Sequence, residues 1–545
     1  MDTRRRNLLI GSSAAAAAAA IGLPALGAPA KRGNAPDLHI ELHAGPDRVA
    51  IRPGATTQVW RYRSRLLRGD AAALEAGAGG YLGPVIRVRA GQRVRIDLVN
   101  GLPESTIVHW HGLHVPDTMD GHPRFAIAPA GRYEYEFTVA NRAGSYWFHP
   151  HPHGRTGKQV HAGLAGLFLI SDDEEAALGL PDGAHDLPLV LQDRTFDADN
   201  QFVYLGSSGD GAGKQGGGMM GGGMMGGGMM GGRTGRSMMG GGMGSMMAGM
   251  MGVLGDQILV NGSLQPGREV ERRAYRLRLL NASNTRTYKL AWNDASPLTV
   301  IGTDGGLLAA PVQRDYLMLA PAERADLWVD FGRWPPGTEL TLRSLAFEGG
   351  MDMGGMMGGR AALPDGAAFA VHSFRVGAGA AKAGTLPRRL SAIPAPEPRL
   401  AVNAERPKVF ELTMGMMVWG INGAGFDMLG ASELETVKLG TQEVWEFRND
   451  GRRSMMGMVM PHSMHVHGVQ FRVIGRSVSN KFSNEYGTVS AGLVDEGWKD
   501  TVLVMPGERV RILLRFADYP GLFLYHCHML EHEDSGLMRN YRVKA

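Results

Sequence analysis

The chain has 545 residues, 44% of them hydrophobic and 20% charged, and its 57 Lys and Arg exceed its 53 Asp and Glu by only four. That balance leaves no basic surface of the kind that binds nucleic acid, and the length exceeds what one core can organise, pointing to about three domains of ~150 residues. With one cysteine, Cys527, no intrachain disulfide can form, so stability rests on packing.

Residues 1–30 read as an export signal: Arg4, Arg5 and Arg6, the alanine-rich apolar run from Leu8 to Leu26, and a small-residue site at Ala28-Pro29-Ala30. The run is too weakly apolar for an anchor, and no later stretch reaches membrane-spanning length. Arg5-Arg6-Asn7-Leu8-Leu9 resembles a twin-arginine signal, which implies export of a folded, cofactor-loaded protein to the periplasm.

Beyond the leader, Val85 to Arg89, Arg93 to Leu98 and Tyr133 to Phe137 alternate apolar and polar residues, as half-buried strands do. The same texture returns at Tyr275 to Leu280, Ala325 to Asp330, Val444 to Phe447 and Val510 to Phe516, with Gly- and Pro-rich breaks between and little helical periodicity. The expected fold is all-β, a series of Greek-key sandwiches. Boundaries fall after Leu167-Phe168-Leu169-Ile170 and at the linker marked by Pro387, Pro394, Pro396 and Pro398, giving domains at 36–178, 184–385 and 398–545.

The middle domain carries an insertion, residues 216–251, in which Gly-Gly-Gly-Met-Met recurs in tandem. Such a segment cannot pack a core and is expected to be a flexible surface insertion. Either it is low-complexity sequence without a task, or its thioethers capture Cu(I), which prefers soft ligands. Met351, Met353, Met356 and Met357 form a smaller echo.

Most of the eighteen histidines fall in four groups, His109-Trp110-His111, His149-Pro150-His151, His462-Ser463-Met464-His465-Val466-His467 and His526-Cys527-His528-Met529-Leu530-Glu531-His532. Each contains a His-x-His pair, which on a strand puts both imidazoles on one face. In the last group Cys527 then faces away from His526 and His528, so one covalent stretch touches two sites. Thiolate with imidazoles is the ligand set of a blue copper centre.

Together these motifs, with Gly112, Gly154 and Gly468 closing three of them, resemble the multicopper oxidases in order and position over nearly the whole mature chain. The resemblance implies three cupredoxin domains and four copper ions. His462, Cys527 and His532 would hold the type 1 copper, His109 and His465 the type 2 copper, and His111, His149, His151, His467, His526 and His528 the type 3 pair. It further implies one-electron oxidation of Cu(I) or phenolic substrates coupled to four-electron reduction of dioxygen to water, with Asp120 and Glu533 at the positions of proton-supplying acids. No nucleic acid or membrane span is expected, and the chain is expected to act as a monomer. His153 extends the second motif, where the family pattern uses only the first two histidines.

Two features depart from the pattern. The axial position of the type 1 copper, ten residues after the cysteine, is Leu537, and Met538 follows, so either Leu537 leaves the site without a strong axial donor or the loop shifts and Met538 coordinates. The methionine insertion also lies early in the middle domain, leaving open whether it reaches the type 1 site. Met455, Met456, Met458 and Met460, just before His462, either form a substrate-side copper site or simply pack beside a buried metal. Three functions compete: a cuprous oxidase, a laccase with incidental methionines, and a non-catalytic copper store.

Overall fold

Each segment with alternating polarity lies in a strand, and Arg93–Asn100 is representative, its buried and half-buried residues strictly alternating. In a computed structural model of the protein the described residues are 35–75, 77, 80–205, 251–264, 267–350, 363–415, 419–451 and 459–545. The leader, nearly all of the 216–251 insertion and Met351, Met353, Met356, Met357, Met455, Met456 and Met458 lie outside them. By contacts the chain divides into Met1–Pro36 and one unit, Asp37–Ala545.

Within Asp37–Ala545 the strands form three successive pairs of sheets. Strands between Leu38 and Ser171 make a four-stranded and a five-stranded sheet, those between Asp186 and Val376 a six- and a five-stranded sheet, and those between Lys408 and Lys544 two five-stranded sheets. Parallel pairings such as Leu38–Val49 on Arg93–Asn100 sit among antiparallel ones, the mark of Greek-key crossovers rather than simple hairpins. The described helices are short, among them Thr156–His161 and Leu530–Asp534.

Each pair of sheets encloses its own apolar core. Trp110, Phe148 and Ile96 belong to the first, Leu277, Leu327 and Phe374 to the second, Trp445, Met464 and Cys527 to the third. Each fully buried aliphatic or Phe side chain contributes about 1.5–3 kcal/mol. The motif-bearing strands are therefore held from one face by apolar packing, which leaves the other face free to present imidazoles.

Candidate metal centres

Strand parity sorts the ligand-type side chains. Val108–His111 pairs antiparallel with Gly144–Pro150, His109 opposite His149 and Trp110 opposite Phe148. Trp110 and Phe148 enter the core, so His109, His111 and His149 share the other face. His462–Val466 pairs likewise with Gly521–Cys527, Met464 opposite Cys527 and His465 opposite His526. Met464 and Cys527 share the third core, while His465 and His526 face away from it.

The first and third pairs of sheets present these faces to each other. His109 Nε2 lies 3.3 Å from His465 Nε2, and His149 Nε2 3.2 Å from His528 Nε2. His526 Nε2 is 3.2 Å from His151 Nε2 and 2.9 Å from His467 Nε2. All eight rings are at most 1% exposed. Burial drives His109, His111, His465, His467 and His528 well below the ordinary imidazole pKa, and takes His149 to about 3 and His151 to about 4. Imidazoles that burial keeps neutral, with ring nitrogens converging in a dry site, are groups suited to binding metal cations.

Their orientation is set from behind. His109 Nδ1 bonds the Asp120 carbonyl at 2.6 Å, His465 Nδ1 the Asp500 carbonyl at 2.7 Å, and His467 Nδ1 the Asp120 carboxylate at 2.8 Å. His111 is turned the other way: its Nε2 meets Asp500 Oδ1 at 3.0 Å and Thr501 Oγ1 at 3.1 Å, while its buried Nδ1 has no hydrogen-bond partner. Glu533 stands 3.2 Å from His526 Nδ1 and 3.6 Å from His151 Nε2. Burial pushes Asp120 well above the usual carboxyl range. At Glu533 burial also raises the pKa, but His151 and His526 outweigh it and bring it to about 2.

Sequence reasoning missed Asp500 and the arginine that holds it. Arg324, from the middle pair of sheets, grips Asp500 with two hydrogen bonds of 2.7 and 2.6 Å and donates to the Ser145 carbonyl at 2.9 Å. Both charges are fully buried. Burial raises Asp500 but Arg324 outweighs it, keeping the carboxylate below its usual range. Gly112, at φ +86°, closes the first motif where a Cβ would collide with Asp500 Oδ2. The only hint in the sequence is the charged run Lys499-Asp500 opening an otherwise apolar strand.

The second centre lies on the core face of the same strand. Nitrogen and sulfur atoms of His462, Cys527 and His532 fall within 4.8 Å of one another, with Cys527 Sγ 3.7 Å from His532 Nδ1. His462 Nδ1 has no partner, and burial pushes the Cys527 thiol up to about 12. A buried sulfur beside two neutral imidazoles is a soft donor set for a metal that stabilises the thiolate. Leu537 is fully buried in the Cys527 core. Met538 pairs across the sheet with His526 and therefore sits on the opposite face, so of the two axial candidates Leu537 is the one that shares the core with Cys527. His153 is exposed and packs on Phe426, away from the cluster.

The middle pair of sheets also reaches this centre. Glu531, next to His532, accepts from Asn284 Nδ2 at 2.7 Å, Thr285 Oγ1 at 2.8 Å and the Val253 N–H at 3.3 Å. Burial and Glu531 together push the Tyr204 hydroxyl well up, and Met251 packs on the core that holds Cys527. Tyr204 and Val253, the described residues on either side of the methionine insertion, thus both meet Glu531 on the helix that carries His532.

Two buried clusters of ligand-type side chains, joined by one His-Cys-His stretch between cupredoxin-type sheets, are the arrangement a copper-dependent oxidoreductase requires. Multicopper oxidase family models match residues 61–175 and 401–545. A laccase of Bacillus stratosphericus is 31% identical over 500 residues, covering 85% of this chain and 89% of its own. The solved McoA multicopper oxidase of Aquifex aeolicus superposes with a TM-score of 0.72 at 32% identity, over 94% of this chain and 97% of its own. A Campylobacter jejuni multicopper oxidase described as a metallo-oxidase has a TM-score of 0.67 at 25% identity, over 93% and 91%. The chain belongs to the multicopper oxidase family, enzymes that contain copper and pass electrons from reducing substrates to dioxygen.

Proposed function

We propose that the protein is an exported cuprous oxidase that oxidises Cu(I) and, as a second donor class, phenols. Four copper ions would be held, the type 1 ion by His462, Cys527 and His532, with the apolar Leu537 in the core that holds Cys527. The type 2 ion would take His109 and His465, and the type 3 pair His111, His149 and His528 on one side and His151, His467 and His526 on the other. Copper bound there supplies one-electron redox chemistry at the cysteine and four-electron reduction of dioxygen to water at the histidines.

The observation that carries the reading is the opposed orientation of Cys527 and His526 in Gly521–Cys527, which puts both centres one peptide unit apart. The chain's own residues divide the remaining work. His526 and His528 join the cluster to the strand that holds Cys527. In this reading Asp120, raised by burial and bonded to His467, would hold a proton, and Glu533, ionised beside His151 and His526, would accept protons and pass them on. Arg324 and Asp500 fix His111 and His465.

Two observations favour Cu(I). Met251, the last residue of the insertion, and Met460 both belong with the core around Cys527, and thioethers suit Cu(I). The Campylobacter jejuni relative, described as a metallo-oxidase, points the same way. Localisation in the periplasm by a twin-arginine signal, and action as a monomer, complete the proposal; no described helix is long and apolar enough to cross a membrane.

Oxygen uptake by the copper-loaded enzyme with Cu(I) and with a phenol, before and after deletion of residues 216–251, tests the reading. The expected result is loss of Cu(I) oxidation with phenol oxidation kept or raised. An unchanged deletion variant would favour a laccase with incidental methionines, and no oxygen uptake with any donor a copper store.

A further inference from the structure

The outward end of His532 is closed. Its Nδ1 is the atom turned toward Cys527 Sγ, so Nε2 points away from the centre, yet that nitrogen is buried and without a hydrogen-bond partner. What lies over the ring is Trp419. The indole and the His532 imidazole have centroids 4.6 Å apart with planes inclined 33°, and the same indole meets His462 edge-on at 5.0 Å and 82°. Trp419 is itself only 3% exposed, His462 1% and His532 0%.

The cover is rigidly mounted. Trp419–Ile421 pairs antiparallel with Lys408–Met414, Trp419 opposite Met414. Thr413 Oγ1 donates to the Gly420 carbonyl at 2.8 Å, and the Trp419 N–H donates at 3.3 Å to the carbonyl of Ser535, the residue closing the helix that carries His532. These anchors are backbone or neighbouring groups, so replacing the indole leaves them in place.

From this arrangement we infer that Trp419 is a specificity-determining residue, which keeps planar organic donors from touching His532 and thereby favours a donor as small as a monatomic cation. The inference rests on the proposed one-electron chemistry at the centre of His462, Cys527 and His532, and takes the His532 ring as the part of that centre an outside donor would touch. An aromatic substrate transfers its electron best in van der Waals contact with the acceptor ring, and here that surface is taken by the indole. A cation held by thioether groups needs no stacking surface on His532. A difference of one methylene in a packed apolar pocket already discriminates by about 10–200-fold, and an indole is larger.

The test compares wild type with Trp419→Ala and Trp419→Phe. In the copper-loaded enzymes, the ratio of kcat/KM for 2,6-dimethoxyphenol to that for Cu(I) is expected to rise at least ~10-fold in Trp419→Ala and little in Trp419→Phe. In the metal-free full-length proteins, alkylation of Cys527 by iodoacetamide, followed by mass spectrometry, is expected to accelerate in Trp419→Ala alone. An unchanged ratio in a Trp419→Ala enzyme that keeps its blue absorption overturns the inference, and so does an unchanged alkylation rate. Should Trp419→Ala not fold, Trp419→Val carries the same expectations and the same refutations. If wild type takes up no oxygen with Cu(I), the Cu(I) reading fails, while the change in phenol kcat/KM between variant and wild type still judges Trp419.

Discussion

The two faces of the strand Gly521–Cys527 are held by different forces. On the His526 face the imidazoles are oriented by polar partners: carbonyls of Asp120 and Asp500, carboxylates of Asp120, Asp500 and Glu533, and behind Asp500 the guanidinium of Arg324. On the Cys527 face the rings of His462 and His532 meet Trp419, which belongs with Met464 and Leu537 to the apolar core, and neither His462 Nδ1 nor His532 Nε2 has a hydrogen-bond partner. The polar face presents a preset geometry for several cations, whereas the apolar face surrounds one sulfur with low-dielectric contacts that govern how readily a metal there accepts an electron.

That contrast breaks most severely at Arg324. Arg324→Leu leaves Asp500 buried and uncompensated, so the metal-free protein is expected to lose about 3–5 kcal/mol of stability in denaturant unfolding. A loss below 1 kcal/mol would mean that the polar brace is dispensable. Asp120→Asn keeps the shape but removes an acid, and is expected to slow dioxygen reduction by about 10²-fold with the blue absorption intact. Unchanged steady-state turnover would remove Asp120 from proton supply.

A smaller effect belongs to the strand that both faces share. Glu435 accepts from the Tyr525 hydroxyl at 2.8 Å and from Arg539 at 2.7 and 2.8 Å. Burial raises its pKa, but these hydrogen bonds, Arg539 foremost, outweigh it and hold the carboxyl below the ordinary value of 4.5. A depressed folded-state pKa stabilises above the unfolded value and loses that contribution as pH falls through the folded one. Wild type is therefore expected to lose its stability advantage over Glu435→Gln on acidification below about pH 4.5, measured by urea unfolding across pH. The smallest change is Leu537→Met, which adds a thioether on the apolar face and is expected to lower the reduction potential of the type 1 copper in a redox titration. A potential that does not fall would place residue 537 out of reach of the metal.

Much of this was legible before any tertiary contact was known. The alternation of Arg93–Asn100 and of the other polar-apolar segments announced strands, and the spacing of His526, Cys527 and His528 announced two sites on one strand. The strands and the opposed facing of Cys527 and His526 are as read, because side-chain direction in a strand has period two, a local property of the backbone. Asp500, Arg324, Glu531 and Trp419 were illegible, since each acts through a partner distant in the chain. Arg324 and Asp500 are 176 residues apart, and Asn284 and Glu531 247.

What the sequence determined by itself was therefore the composition of each centre and the opposed faces of the strand between them. Tertiary structure alone decided that His109 meets His465 across 356 residues, that Leu537 rather than Met538 lies with Cys527, and that Val253, just past the methionine insertion, meets Glu531 on the helix of His532. The physical reason is that residue periodicity is written in the local backbone, whereas convergence depends on sheet register and on how three pairs of sheets pack together.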